Sequence, residues 1–121
     1  MAQKLITKAI ATKIQKHPYG SQDGKKGDAE VIARIFGGAA TFYILEGYHR
    51  NGEEWDGHTV YGLVNIGNGF EYGPFDLNDL ARGYNFGRIR LPYERDRWAD
   101  RKLGDCAKSY GETFPYAKVA A

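Results

Sequence analysis

Apolar and polar residues alternate along some stretches of this chain and recur at helical spacing along others, and that contrast predicts the elements. Val60, Gly62, Val64 and Ile66 alternate with Tyr61, Leu63 and Asn65, and Phe70-Glu71-Tyr72 resumes the alternation after Asn68-Gly69. Asn-Gly between two such runs predicts a two-residue type I′ hairpin turn, whose central residues both need φ > 0. The run Phe75-Asp76-Leu77-Asn78-Asp79-Leu80 predicts a short helix. Asp76 is its cap, Asp79 its third residue, and Phe75 and Leu80 are the two ends of a hydrophobic staple.

Upstream, Ile6, Ala9, Ile10 and Ile14 keep helical spacing, Thr7 can cap, and Pro18 ends the helix by about His17. Residues 19–28 are rich in Gly, Lys and Asp and predict an exposed flexible loop. Residues 30–36 and 41–48 predict two strands joined through Gly37-Gly38. Val31, Ala33 and Ile35 should share one face of the first. Phe42, Ile44 and Tyr48 should oppose Thr41, Tyr43 and Leu45 in the second. Asn51-Gly52 predicts another tight turn, leading through Trp55 to a strand from about His58. Residues 82–92 read as irregular. Ala99, Leu103, Cys106 and Tyr110 predict a last helix ending near Gly111, with Gly104 unfavourable inside it by about 1 kcal/mol. Residues 116–121 read as a frayed tail. The expected fold is one α+β domain over residues 1–121, an antiparallel meander of about four strands. N-terminal, short middle and C-terminal helices flank it and cover one face.

Composition narrows the class. The 121 residues suit one core, and 42% hydrophobic content is enough to pack it. One cysteine, Cys106, excludes an intramolecular disulfide or a cysteine-rich zinc site. Apolar runs are far too short to span a membrane and no signal peptide is visible, so a cytoplasmic, bacterial or viral protein without membrane association is expected. Charge is segregated. Residues 1–27 carry six lysines against one aspartate, residues 28–79 nine carboxylates against two arginines, and residues 88–102 six cations against three carboxylates. Such a pattern fits either mutual cancellation or a basic face for nucleic acid. Gly24-Lys25-Lys26-Gly27 lacks the glycine spacing and the Ser or Thr of a phosphate loop.

Candidate chemistry is sparse. Arg95, flanked by Glu94 and Asp96, reads first as a structural anchor forked onto a carboxylate. The alternative makes Arg88, Arg90, Arg95 and Arg97, interleaved with Tyr93 and Trp98, a surface for phosphates and stacked bases. His49, Glu53, Glu54, Asp56 and His58 crowd one hairpin tip. His49, Glu54 and His58 are weak metal candidates there, and a metal would permit phosphodiester hydrolysis, but metal-ligand spacing is absent. Glu46 lies inside a strand, either outward-facing or Arg-paired, or inward as a general base. Cys106 falls on an apolar stripe and reads as an inert thiol. No nucleophile-base order suggests itself, no cofactor is implied, and the balance leans away from an enzyme. Nine tyrosines, six phenylalanines and two tryptophans exceed what the core needs. Tyr48, Trp55, Tyr84, Phe86 and Tyr93 fall where burial is not obvious, and aromatics beside arginine suit protein-binding hot spots.

The order of these features resembles the bacterial family catalogued as domain of unknown function 2958, short proteins of plasmids, integrative elements and phages. The resemblance runs through Leu5-Ile6-Thr7-Lys8, Ala33-Arg34-Ile35-Phe36 and Thr41-Phe42-Tyr43-Ile44-Leu45-Glu46-Gly47. It continues through Tyr61-Gly62-Leu63-Val64, Glu71-Tyr72-Gly73-Pro74-Phe75-Asp76-Leu77 with Leu80, and Leu91-Pro92-Tyr93-Glu94-Arg95-Asp96. The arginine-rich stretch after Asp96 departs from that pattern. The resemblance implies a setting and no catalytic residue: an accessory protein of mobile DNA, with anti-restriction or anti-CRISPR inhibition as typical occupations. The expected function is therefore a non-enzymatic binding protein acting on a host protein or nucleoprotein complex. A direct nucleic-acid-binding protein is the first alternative and a metal-dependent hydrolase the second. Oligomeric state is open, since exposed strand edges could pair.

Overall fold

The computed structural model describes residues 5–98 and 101–116. Its centre is a five-stranded antiparallel sheet built from β2 (Ala33–Gly37), β3 (Ala40–Gly47), β4 (Thr59–Asn65), β5 (Glu71–Asp76) and β8 (Glu94–Arg95), in the order β5-β4-β3-β2-β8. Two short ribbons stand beside it, β1 (Glu30–Val31) with β9 (Arg101–Lys102) and β6 (Tyr84–Phe86) with β7 (Ile89–Leu91). Three helices complete the α+β domain: α1 (Lys8–Lys16), α2 (Leu77–Ala81) and α3 (Leu103–Tyr110). Among the described residues, no helix is long and apolar enough to cross a membrane.

The helices cover both faces of the sheet, not one. Ile10 and Ile14 of α1 and Leu77 and Leu80 of α2 pack with Ile35, Phe42, Ile44 and Val60 on the first face. Leu103 and Cys106 of α3, with Phe114, pack with Tyr43, Leu45 and Leu63 on the second. The period-two alternation of β3 and β4 thus feeds two cores, which is why both sets of residues are apolar. Each fully buried aliphatic side chain contributes roughly 1.5–3 kcal/mol.

The caps follow the chemistry expected of them. Thr7 Oγ1 accepts from the Ile10 amide at 3.2 Å, and His17 closes α1. Asp76 Oδ1 accepts from the Asn78 amide at 2.8 Å, and Phe75 and Leu80 join the same core, as a staple should. Gly111 ends α3 in the left-handed conformation at φ 64°. Gly104 has a packing reason. A Cβ there would lie 3.2 Å from the Gly27 carbonyl oxygen, so glycine lets α3 sit against the segment 26–28. The predicted start of this helix at Ala99 lies outside the described residues, and 101–102 is extended instead, paired with β1. Of the tail at 116–121, only Tyr116 is described.

Several local expectations give way. Asn68-Gly69 does not form a two-residue turn: pairing stops at Val64–Glu71, and Gly67 and Gly69 are the residues with positive φ. Asn65 Oδ1 accepts from the amides of both, at 2.8 and 3.2 Å, and so builds a wider loop. Asn51-Gly52 does turn, with the Glu53 amide on the Arg50 carbonyl at 3.0 Å, but inside the long connection 48–58. Val31 faces the α3 side while Ile32, Ala33 and Ile35 face α1, because the chain bends at Ile32 between β1 and β2. One irregular residue exchanges faces. Residues 82–92, read as irregular, contain the β6–β7 ribbon, and Glu94-Arg95 adds the fifth strand.

Cys106 is completely buried, and burial pushes its thiol up to about 11. A thiol reagent at neutral pH is therefore expected to leave the native protein unlabelled and to react once urea unfolds it. Rapid labelling without denaturant would mean that α3 opens readily.

Candidate interaction surface

The polar groups inside the molecule form a structural lock. Arg34 lies on β2, on the face that α3 covers, so its guanidinium is enclosed instead of reaching solvent. Its Nη1 donates to Asp96 Oδ2 at 2.9 Å, Nη2 to Glu112 Oε2 at 3.3 Å, and Nε to the Tyr43 hydroxyl at 2.9 Å. The Tyr43 hydroxyl donates in turn to Glu112, and the Tyr110 ring lies 3.9 Å from the guanidinium carbon. Burial alone would lower the Arg34 pKa, but its partners outweigh that and raise it. Burial and Glu112 together raise the Tyr43 hydroxyl well above its usual range. Arg34 was not among the candidates read from the sequence. Arg34 makes an anchor of the kind expected at Arg95, and half-buried Arg95 is itself paired in the sheet opposite Ile35. Asp96 is a carboxylate partner of Arg34, and exposed Glu94 pairs through its backbone opposite Phe36.

Glu46 points inward, 1% exposed. Its two oxygens accept from the backbone amides of Gly20 and Gln22 at 2.9 and 2.8 Å. The bulge between Ile44 and Glu46 sets Glu46 opposite Tyr61 and removes it from simple alternation. Buried Gln22 completes the clamp, bonding Glu30 and the Leu45 carbonyl, so the 19–28 loop is tied to β3. Glu46→Ala is expected to cost about 2–3 kcal/mol in urea unfolding, because two amides lose a charged acceptor. It should also speed hydrogen exchange at Gly20 and Gln22. A loss below about 0.5 kcal/mol would show that water replaces the carboxylate without cost.

The histidines of the 48–58 connection do not converge. His49 is buried, and its Nε2 donates to the Gln15 carbonyl at 3.1 Å. His58 turns to Asp76 at 3.2 Å and lies 3.5 Å from Asp56, while Glu54 is exposed beside Trp55. Asp56 chiefly organises the turn. Burial would raise its pKa, but hydrogen bonds from Thr59 and His58 prevail and lower it. Among the described residues, no group of three His, Cys, Asp or Glu is placed to hold a metal ion.

The arginine-aromatic stretch divides in two. Tyr93 packs on Phe42 and Tyr84, with ring centroids 5.5 and 5.0 Å away. Trp98 donates its indole N–H to the Tyr110 hydroxyl at 2.7 Å, and Trp55 donates to the Thr59 carbonyl at 2.7 Å. These three rings are anchored parts of the fold. Arg88, Arg90 and Arg97 are exposed.

Two of these arginines stand on the β6–β7 ribbon, which carries a site not read as a unit from the sequence. Its base is Tyr84, whose ring lies over Gly37, where no Cβ would fit beneath it, and close to Gly38. Its turn is Gly87-Arg88, with Gly87 at φ 64°. Immediately before the turn, Phe86 pairs directly with Ile89, and these two side chains are 62% and 57% exposed. Arg90 Nη1 donates to the Arg82 carbonyl at 2.9 Å and ties the ribbon to the end of α2. Ile66, 68% exposed, sits in the β4–β5 loop at the same end of the sheet, where a Cβ on Gly67 would lie 3.8 Å from that of Ala39. The ribbon 84–91 contains two arginines and no carboxylate. This end of the molecule therefore offers large apolar side chains beside the two arginines of the ribbon.

No family model matches the chain, and neither a curated protein nor a solved structure matches it.

Proposed function

We propose that the protein is a non-enzymatic binding protein that docks on a protein partner through the β6–β7 end of its sheet. The observation carrying this is the directly paired, exposed Phe86 and Ile89 at the tip of a ribbon whose base is held by packing and whose charges are all positive. The partner surface that fits is an apolar notch rimmed by carboxylates: the notch buries the two side chains, and the rim meets Arg88. The preformed ribbon lowers the ordering cost of such an interface. Engagement of Arg34, Glu46, Asp96 and Glu112 in holding the fold supports a binding role over a catalytic one. The more specific form, a mobile-element protein that inhibits a nucleic-acid-targeting defence complex, rests on the sequence resemblance alone.

Affinity isolation of the tagged protein from bacterial lysate, with and without nuclease, tests the reading. A stoichiometric, acidic protein retained after nuclease supports it. Recovery of nucleic acid alone, lost on nuclease treatment, would replace it with direct nucleic-acid binding through Arg88, Arg90 and Arg97.

A further inference from the structure

Two exposed Asn-Gly pairs lie outside both the ribbon and the interior lock: Asn51-Gly52 in the 48–58 connection and Asn68-Gly69 in the β4–β5 loop. Glycine after asparagine leaves the backbone amide open to close approach by the asparagine side chain. Both glycines have positive φ, 88° and 101°, and a Cβ built on either would meet nothing within 4 Å. Crowding therefore does not distinguish the two pairs. Hydrogen bonding does. The Gly69 amide donates to Asn65 Oδ1 at 3.2 Å, and the same oxygen holds the Gly67 amide at 2.8 Å. The Asn51 turn is closed by the Glu53 amide on the Arg50 carbonyl at 3.0 Å, and the Gly52 amide takes no part in that bond. Among the described residues, no acceptor is placed on the Gly52 amide.

We propose that Asn51-Gly52 is a self-modification site, at which the native chain converts Asn51 to aspartate and isoaspartate through a cyclic imide. The Gly52 nitrogen gives its proton to solvent base and attacks Asn51 Cγ. A nitrogen–carbon bond closes the imide, and the side-chain nitrogen takes up a proton and leaves as ammonia. Water then opens the imide. Cleavage at the former side-chain carbonyl restores the backbone with aspartate, and cleavage at the main-chain carbonyl routes the chain through the side chain as isoaspartate. An amide held in a hydrogen bond must release it before it can attack, so Asn65 shields Asn68 while it shapes the loop. Reaction at Asn51 adds a carboxylate to a connection that already carries Glu53, Glu54 and Asp56. Isoaspartate also lengthens the backbone inside the turn that the Glu53–Arg50 bond closes.

Peptide mapping by mass spectrometry, on the full chain aged at mildly alkaline pH, reads both sites in one sample. Carboxyl methylation by an isoaspartyl methyltransferase gives a second readout of the isoaspartate formed. Asn51 is expected to convert about fivefold faster than Asn68, the factor that one ordinary hydrogen bond supplies. In urea, where the loops are unfolded, the two rates should converge. Asn65→Ala should raise the Asn68 rate by a similar factor, while Asn65→Asp, whose carboxylate still accepts, should keep it low. Three results overturn the inference. One is an Asn68 that reacts as fast as Asn51 in the native chain. Another is an Asn51 that reacts in urea and stays intact when folded. The third is an unchanged Asn68 rate in a folded Asn65→Ala chain. The comparison of native and unfolded protein stands whether or not that variant folds.

Discussion

Arg34→Ala is expected to remove about 3–5 kcal/mol of folding stability, read as a lowered urea midpoint at constant m-value. The substitution does more than delete an ion pair. It leaves Asp96 and Glu112, 20% and 15% exposed, as carboxylates without their shared cation, and it takes a donor from the Tyr43 hydroxyl. A domain of this size holds about 5–15 kcal/mol in total, so the variant would lie near the edge of unfolding. Removing the whole network behaves differently. Arg34→Met combined with Asp96→Leu, Glu112→Met and Tyr43→Phe should recover most of the loss, because a buried ionic cluster is about neutral against well-packed apolar groups. A loss under about 1 kcal/mol for Arg34→Ala alone would mean that solvent reaches the cluster and already screens it.

Phe86→Ala together with Ile89→Ala is expected to abolish partner capture in the affinity isolation, weakening the interaction at least about 30-fold. That corresponds to about 2 kcal/mol, the lower bound for a buried aromatic anchor at an interface. Stability should change by no more than roughly 0.5 kcal/mol, since both side chains are largely solvated in the isolated molecule. This division between lost binding and kept stability marks a docking surface, because a core defect would reduce both. Arg88→Glu should act on association rate and its salt dependence more than on dissociation, as rim charges do. If the double variant retained the same partner at the same stoichiometry, the ribbon would not be the docking element.

Much of the fold was legible because short-range chemistry specifies it. Thr7 and Asp76 cap the helices expected of them, Phe75 and Leu80 staple α2, and Gly111 stops α3. The alternation of Tyr43, Leu45 and Leu63 against Phe42, Ile44 and Val60 placed each set on a common face. The Asn68-Gly69 turn was misread because a nearby side chain, Asn65, competes for the loop amides and favours a wider loop. The ribbon at 84–91 was missed because its alternation is only three residues long on each side, too short for periodicity to register. Gly87 was the one signal that could have found it, a residue able to turn between Phe86 and Ile89.

The candidate site was legible in residue type and not in grouping. Arg88, Arg90, Arg95, Arg97, Tyr93 and Trp98 form one run in sequence, yet they fall on a ribbon, an edge strand and two cores. What the sequence determined by itself was the α+β class, the caps and the meander, all set by contacts within a few residues. Only the tertiary structure decided that both faces of the sheet are covered. That covering turns Arg34 from a strand's outer residue into a buried cation, and makes distant Asp96 and Glu112 its partners. The bulge beside Leu45 likewise reverses where Glu46 points. Burial and face depend on which segments meet across the whole chain, and a charged residue reads the same in sequence whether water or another charge awaits it.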